Sequence, residues 1–183
     1  MPKSLCLVMI VKDEAAIIEQ CFDCLVEHLD HWVICDTGST DGTQAIIRKY
    51  FDQKNIPGEL CEHKWENFGR NRTRAFETAH TYVRRECNIK RLADMYYLVM
   101  DADNHFKGDL TQYFCTVPDR LTHYSIQWRL NNIHYTRPSL FSAKLQWQYV
   151  GVLHEYADVV NESSRSSMVE GTVDINQCFI IAN

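Results

Sequence analysis

Short apolar runs recur over the first hundred residues, separated by more polar stretches. The runs at 5–11, 32–35 and 96–100 are continuous, and a weaker one covers 59–63. Runs of this length, rich in β-branched and aromatic residues, are typical of strands. Because they do not alternate with polar residues, they predict strands buried on both faces, as in a parallel sheet.

Helical spacing of apolar residues appears between these runs. It predicts one helix over 15–29, one that follows Gly42 and runs through Tyr50, and one over 69–86. Pro57 and Gly58 end the second of these regions. The resulting order, β-α-β-α-β-α-β, favours an α/β fold with a mostly parallel central sheet and right-handed crossovers.

The pattern changes after Asp103. Two longer runs predict a hairpin whose tight turn is Asn131 and Asn132, since asparagine tolerates such turns. A serine-rich segment predicts a mobile surface loop. The predicted strands of this half are 122–130, 133–142, 147–153 and, more weakly, 173–175 and 178–181, and the loop is 163–167. We expect one domain over 1–183, whose halves are 1–104 and 105–183.

Composition narrows the classes of function. The 183 residues are 45% hydrophobic and 23% charged, as in an ordinary globular domain. The net charge of −5 gives no support for nucleic-acid binding. We see no apolar run near 18 residues and no signal-peptide cleavage pattern after Met1, which favours a cytoplasmic protein without a membrane span.

The eight cysteines therefore predict reduced thiols rather than a disulfide framework. Cys21, Cys24 and His28 share one helical face at spacings of three and four. A structural zinc site would need a second pair of ligands elsewhere, so core packing is the favoured interpretation.

Acidic residues follow three of the predicted strands. Glu14, Asp36, Asp101 and Asp103 would meet at one edge of a parallel sheet, where open α/β sheets bind ligands. Two neighbouring carboxylates repel each other unless a cation joins them, which indicates a divalent metal. Neither a G-x-G-x-x-G fingerprint nor a P-loop is present, so dehydrogenases and P-loop NTPases are disfavoured.

Four motifs in order carry a family resemblance. They are residues 8–14 (VMIVKDE), 35–43 (CDTGSTDGT), 67–71 (NFGRN) and 101–103 (DAD). The chain resembles family 2 glycosyltransferases, inverting enzymes with the GT-A fold, over roughly residues 4 to 160. The segment 150–155 (VGVLHE) resembles one found in a subset of that family.

The resemblance implies a UDP-sugar donor and a set of nucleotide contacts. Asp36 would accept a hydrogen bond from the uracil imide, although it could instead cap the following turn. Glu14 would lie near the uridine, or serve only as an acid in a first helical turn. Arg70 would approach the nucleotide, or pair with Glu66 or Glu77. The remaining implied contacts are Val11, Gly38, Asn71, Asp101 and Ala102.

The resemblance also implies a metal between the two phosphates. Asp103 would bind it directly, while Asp101 would reach the ribose or a metal-bound water. Alternating strand geometry would point both carboxylates the same way. His154 would complete the coordination shell, and an imidazole ligand favours Mn²⁺ over Mg²⁺.

An inverting transfer needs one base to deprotonate the acceptor hydroxyl. Glu155 is the first candidate, Asp158 the second and Asp109 the third, while a salt bridge of Glu155 with an arginine such as Arg137 is the alternative. Four aromatic residues could stack on sugars or belong to the core, namely Trp128, Tyr135, Trp147 and Tyr149.

The expected function is therefore metal-dependent transfer of a hexose from a UDP-sugar to a glycan, glycolipid or protein acceptor. A sugar nucleotidyltransferase, a glycosidase and a catalytically silent nucleotide-sugar-binding module are the alternatives. Family members usually carry more chain on the acceptor side, so these residues are expected to be either a compact form or one domain of a longer protein.

Overall fold

The computed structural model describes residues 3–86, 92, 94–110, 121–151, 155–166, 168–172 and 178–182. Its first part alternates strands and helices as the apolar pattern predicts. The elements are β1 (Ser4–Val11), α1 (Ile18–Asp23), β2 (His31–Asp36), α2 (Thr43–Lys54), β3 (Gly58–Glu62), α3 (Phe68–Glu86) and β4 (Met95–Val99).

The four strands of this part are parallel and lie in the order β3-β2-β1-β4. In β1, Leu5, Leu7 and Met9 pack into a core shared with α1 and α2, whereas Cys6 and Val8 face a second core shared with α3. This alternation explains the continuous apolar run, because both faces of the strand are covered by helices.

The second part is antiparallel or mixed, again as predicted. Its elements are β5 (His105–Gly108), β6 (His123–Leu130), β7 (Ile133–Ser142), β8 (Trp147–Val150), β9 (Tyr156–Val159), α4 (Glu162–Arg165), β10 (Glu170–Thr172) and β11 (Cys178–Ile181). The main sheet continues from β4 through β7, β6 and β11 to β5, β10 pairs with β6, and β8 and β9 form a separate pair.

The hairpin of β6 and β7 turns at Asn131 and Asn132, and Asn131 has a φ of 52°. The left-handed conformation is tolerable for asparagine, which explains the choice of residue. The predicted strands at 122–130, 133–142 and 178–181 are thus confirmed. The strand predicted at 173–175 lies outside the described residues.

Two local predictions are wrong. The single helix expected over 15–29 is a short α1 followed by a 3₁₀ turn at Val26–His28, and Leu25 N–H donates to Phe22 O at 2.9 Å. Apolar spacing identified the buried face, but it does not distinguish α-helical from 3₁₀ hydrogen bonding. Part of the serine-rich loop is α4, because the side chain of Asn161 accepts the N–H of Ser163 and caps a helical turn.

Candidate functional site

A cavity of about 520 Å³ opens where the carboxyl ends of β1, β2 and β4 meet. This is the edge at which open α/β sheets bind ligands. The residues that line it are Ile10, Val11, Lys12, Glu14, Thr37, Trp65, Phe68, Arg72, Asp101, Ala102 and Asp103. Five predicted contact residues are brought together there: Val11, Glu14, Asp101, Ala102 and Asp103.

The loops after β1 and β2 hold each other in place at the floor of this cavity. Thr37 N–H and Oγ1 donate to the Val11 carbonyl at 2.9 and 3.0 Å. Asp13, which has a φ of 55°, donates its backbone N–H to Ser39 Oγ. Its carboxylate in turn accepts a hydrogen bond from Thr40 N–H. The two loops therefore behave as one framework for side chains at the cavity edge.

Asp36 ends β2 and is fully buried. Its Oδ1 accepts hydrogen bonds from Gly38 N–H, Ser39 N–H and Gln44 Nε2, whereas the buried Oδ2 has no hydrogen-bond partner among the residues that the structure describes. Burial raises the pKa of Asp36, but hydrogen bonds from Ser39, Gln44 and Gly38 outweigh it and lower the pKa. Asp36 thus caps its turn and keeps one acceptor oxygen unused. Gly38 has a φ of 108°, which glycine supplies without strain.

Three carboxylates concentrate negative charge at the cavity. The pKa of Glu14 is raised by burial first and then by the charges of Asp103, Asp41 and Asp101. Glu14 N–H is held by Thr43 Oγ1 at 2.8 Å, so the side chain projects from a fixed backbone. An acid with a raised pKa beside other acids is the electrostatic environment that a bound cation relieves.

Asp101 and Asp103 reach the cavity by a different geometry from the one predicted. β4 ends at Val99, and Asn104 N–H donates to Asp101 O at 3.2 Å, so the two aspartates lie in a turn beyond the strand. The argument from strand alternation is therefore wrong, although both residues do line the cavity. Ala102 between them is buried, whereas Asp103 is exposed.

Arg72 on α3 joins the two sides of the site. Its Nη2 donates to both carboxylate oxygens of Asp101, at 2.9 and 3.0 Å, and its Nη1 donates to Glu155 Oε1 at 2.8 Å. The guanidinium lies between the rings of Phe68 and Tyr149, 5.5 and 5.6 Å from their centres. Burial lowers the pKa of Arg72, but Asp101, Tyr149 and Glu155 raise it by more, so the cation is retained.

The two α3 residues singled out from the sequence lie elsewhere. Arg70 is exposed, is not among the cavity-lining residues, and faces Glu66 Oε2 at 3.8 Å, the alternative considered for it. Asn71 is buried, and its Oδ1 accepts the N–H groups of Glu66 and Asn67. Asn71 therefore holds the segment before α3 in place, and the α3 arginine that lines the cavity is Arg72.

Sequence reasoning missed Arg72 because the motif drew attention to its neighbours. Helical spacing holds the signal that would have found it, since Phe68 and Arg72 are four residues apart and share a face. Trp65 and Phe68 were also missed. Their rings meet edge to face at 4.9 Å, and both are exposed at the cavity wall.

The candidate bases are engaged in ion pairs. Glu155 forms a salt bridge with an arginine, which was the alternative to its role as a base, but its partner is Arg72 rather than Arg137, and only 12% of its side chain is exposed. Asp158 in β9 is bonded to Arg165 and to Val159 N–H, and the Arg165 hydrogen bond is the largest cause of its lowered pKa. Neither residue lines the cavity, but Glu155 accepts a hydrogen bond from Arg72, which does.

The third candidate, Asp109, has Oδ1 3.9 Å from His28 Nδ1. The predicted metal ligand His154 lies outside the described residues. Among the aromatic candidates, Trp128 and Trp147 are core residues, Tyr149 stacks on Phe76, and Tyr135 is partly exposed.

The metal-binding capacity of the described residues is limited. They contain no cluster of three histidine, cysteine, aspartate or glutamate side chains able to hold an ion. The carboxylates at the cavity still suit a hard cation that takes one or two protein ligands and completes its shell with phosphate oxygens and water. The residues fit a metal that arrives with a phosphorylated ligand better than a closed protein site.

The family is now clear from comparison with known proteins. The model of glycosyl transferase family 2 matches residues 6–116, more than half of the chain, and the chain belongs to this family. No curated protein matches this sequence.

Solved structures show a related fold. S. aureus TarS has a TM-score of 0.53 at 15% identity, with 71% of this chain and 22% of TarS covered. TarS 1–349 in complex with UDP has a TM-score of 0.53 at 14% identity, with 70% of this chain and 36% of that chain covered. The complex with UDP-GlcNAc has a TM-score of 0.52 at 14% identity, with 70% of this chain and 35% of that chain covered. The present chain spans about a fifth to a third of these proteins. The likeness supports the predicted GT-A-like α/β fold.

The described part of the chain contains no helix that is both long and apolar enough to cross a membrane.

Proposed function

We propose that this chain binds a UDP-sugar in the cavity at the ends of β1, β2 and β4 and transfers the sugar, with inversion, to an acceptor hydroxyl. The single observation that carries the proposal is the meeting of Glu14, Asp101 and Asp103 with Arg72 at one cavity in a family 2 chain. The S. aureus TarS complexes with UDP and UDP-GlcNAc support the choice of donor.

Each residue has a role that its position favours. The buried Oδ2 of Asp36 has no hydrogen-bond partner among the described residues. It is an acceptor for the uracil imide N–H once the base displaces the protein atoms that bury it. Asp101 is held by Arg72 and offers its remaining acceptor capacity to the ribose. Trp65 and Phe68 form an apolar wall for a planar or ring-shaped group.

Asp103 is the proposed protein ligand of Mn²⁺ or Mg²⁺. A cation at this position would lower the raised pKa of the neighbouring Glu14. The metal supplies neutralisation of charge on the departing diphosphate. His154 is retained as a proposed further ligand. Lys12, which lines the cavity, is a second source of positive charge for the phosphates.

Glu155 is the proposed base. Arg72 fixes its carboxylate at 2.8 Å and leaves the second oxygen, Oε2, to accept a proton from an acceptor hydroxyl. The acceptor is proposed to be a glycan, glycolipid or protein. Asp158 is the weaker proposal, because Arg165 and Val159 N–H occupy its carboxylate and lower its pKa.

A catalytically silent nucleotide-sugar-binding module is the second candidate. The observation that favours it is the ion pair of Glu155 with Arg72, because a carboxylate oxygen already held by an arginine is not available to an acceptor hydroxyl. Both functions require UDP-sugar binding, but only the transferase converts the UDP-sugar to product.

The experiment is release of UDP from a panel of UDP-sugars, with and without Mn²⁺, for the wild type and Glu155→Gln. A transferase hydrolyses one member of the panel slowly and metal-dependently, and the glutamine variant loses about 10²-fold or more in rate while it binds UDP unchanged. Asp52→Asn, an exposed carboxylate on α2, serves as the matched control and should match the wild type. UDP binding without turnover on any donor or acceptor supports the silent module.

A further inference from the structure

Two thiols stand beside the donor cavity without a part in the proposed function. Cys21 and Cys24 form a C-x-x-C sequence at the end of α1, with Cys24 as the C-terminal cap residue. Cys21 is fully buried, and Cys24 is partly exposed. The spacing of three places both side chains on one side of the helix.

The surroundings of Cys24 distinguish it from an ordinary core cysteine. Phe106 N–H, at the second position of β5, donates to its Sγ at 3.1 Å. The Cys21 carbonyl oxygen, 2.9 Å from the same sulfur, accepts the proton of the thiol form. The hydrogen bond with the Cys21 side chain is the largest cause that lowers the pKa of Cys24 to about 6, followed on the lowering side by Phe106 N–H and His105.

Cys21 has the opposite tendency. Its hydrogen bond to Cys24 and its burial raise its pKa, whereas the pKa of Cys24 is lowered, so Cys24 is the member of the pair that ionises more readily. This is the arrangement of an attacking thiolate with a protonated partner beside it.

We propose that Cys21 and Cys24 are an oxidisable dithiol, in which Cys24 attacks peroxide and Cys21 resolves the product to a disulfide. The inference stands on the C-x-x-C spacing, the hydrogen bond from Phe106 N–H to Cys24 Sγ and the partial exposure of Cys24. It does not depend on the proposed transferase activity.

The chemistry balances with hydrogen peroxide as the oxidant. The Cys24 thiolate attacks one peroxide oxygen, the O–O bond breaks, and the departing hydroxide takes a proton to become water. The Cys21 thiol then attacks the sulfenic sulfur, the S–O bond breaks, and the second hydroxyl leaves as water with the Cys21 proton. The two cysteines lose two electrons and two protons, and the peroxide is reduced to two waters.

Disulfide formation requires α1 to move at its end. Residues three apart on a helix have Cβ atoms roughly 5–6 Å apart, whereas a disulfide needs about 3.5–4.5 Å. Two contacts tie this helix end to the segment that carries the aspartates: Cys24 to Phe106 N–H, and Cys21 Sγ to Asp101 O at 3.8 Å. Oxidation would release both, so we expect it to disturb the position of Asp101.

The test treats the reduced full chain with one equivalent of hydrogen peroxide, blocks remaining thiols, and maps the peptides by mass spectrometry without reduction. A Cys21–Cys24 peptide lighter by two hydrogen atoms, restored by dithiothreitol, supports the proposal. In Cys21→Ser, oxidation should stop at a sulfenic acid that dimedone traps on residue 24. An overoxidised Cys24 without any disulfide in the wild type would overturn it.

Cys61 is the matched control within the same molecule. It is also partly exposed, but burial and Glu59 raise its pKa to about 12. Iodoacetamide at pH 7 should modify Cys24 at least about tenfold faster than Cys61, since the thiolate is the nucleophile. Equal rates on the wild-type protein would overturn the proposal, and this reading requires no variant to fold.

The effect on the donor site is a separate readout that rests on the proposed function. UDP affinity is measured before and after oxidation, with a Cys24→Ser protein treated in parallel. A fall of about tenfold that dithiothreitol reverses, and that the variant lacks, supports coupling through Asp101. A disulfide that forms with UDP affinity unchanged would refute the coupling, whereas absence of UDP binding in the reduced wild type would refute the proposed function.

Discussion

Arg72 is the residue on which the geometry of the site depends most. Its side chain is only 12% exposed, and it bonds Asp101 from the first half of the chain and Glu155 from the second. Without it, Asp101 and Glu155 would both lose the cation that bonds them. The ion pairs therefore serve placement of the two acids more than net stability.

Replacing Arg72 by methionine tests this role. We expect a loss of about 1–3 kcal/mol in the free energy of unfolding, because Asp101 and Glu155 lose their donors while partly buried. Urea denaturation monitored by fluorescence gives the measurement.

Arg70→Met is the matched control for that experiment. Arg70 is exposed and faces Glu66 on the helix surface, so we expect a change within about 0.5 kcal/mol. Equal losses for the two arginines would contradict the distinction between them.

Glu14 supplies a second residue-scale prediction, through pH. Its pKa is raised in the folded protein by burial and by Asp103, Asp41 and Asp101. Below the unfolded value of 4.5 both states are protonated and the effect vanishes; above it, ionising Glu14 costs more in the folded state. Wild-type stability should therefore fall relative to Glu14→Gln as pH rises from 4 to 7.

The measurement is urea unfolding of both proteins at pH 4 and pH 7 with a chelator present. Glu19→Gln, at an exposed position on α1, is measured in parallel as the control for replacing a carboxylate by an amide. If the stability difference between Glu14→Gln and the wild type is the same at both pH values, neither burial nor the neighbouring acids disfavour the ionised form of Glu14 in the folded protein.

At the scale of elements, the site depends on how α3 meets the segment after β8. A Cβ added to Gly69 would lie 2.5 Å from the Gly151 carbonyl oxygen, so only glycine permits this approach. Arg72, which bonds Glu155, lies three residues after Gly69 on the same helix, so the close contact lies about one helical turn from that arginine.

Gly69→Ala should destabilise the protein by about 1–3 kcal/mol, because the clash involves backbone and one of the two segments must move. Alanine normally improves a helix by up to about 1 kcal/mol over glycine, so the sign is diagnostic. Thermal and urea unfolding report it. Thr81→Ala, on the exposed face of the same helix, should stay within about 0.5 kcal/mol, and a stabilised Gly69→Ala would disprove the contact.

Most helices and strands were predictable because a strand that is buried on both faces has a continuous apolar sequence. β1, β2 and β4 appear as unbroken apolar runs, and α3 as a helical stripe. The short strands β5, β9 and β10 were not predicted, since three or four residues of mixed polarity give no periodic signal. Strand alternation was wrongly extended to Asp101 and Asp103, which follow the predicted strand 96–100, because an apolar run does not show where the strand geometry ends.

The site was predictable in part for the same physical reason. Strand ends bring Val11, Asp36 and Asp101 to one edge whatever the side chains are. Which face of α3 meets that edge depends on packing against Tyr149 and Gly151, which are distant in sequence. The motif therefore indicated the right helix but favoured Arg70 over Arg72.

At the scale of the whole molecule, the parallel half presents the cavity, and the mixed half meets it at Arg72, which contacts Glu155 and Tyr149. The division at residue 104 and the single-domain reading remain predictions. The central claim is that this cavity binds a nucleoside diphosphate together with a divalent cation.

Isothermal titration of UDP, with and without Mn²⁺, tests that claim most directly. For the wild type we predict affinity at least about tenfold higher with Mn²⁺, equal to ~1.4 kcal/mol. Asp103→Asn should lose this gain, while the control Asp52→Asn, remote on α2, should keep it. UDP affinity that is unaffected by Mn²⁺ in the wild type, or a gain that survives in Asp103→Asn, would contradict the account.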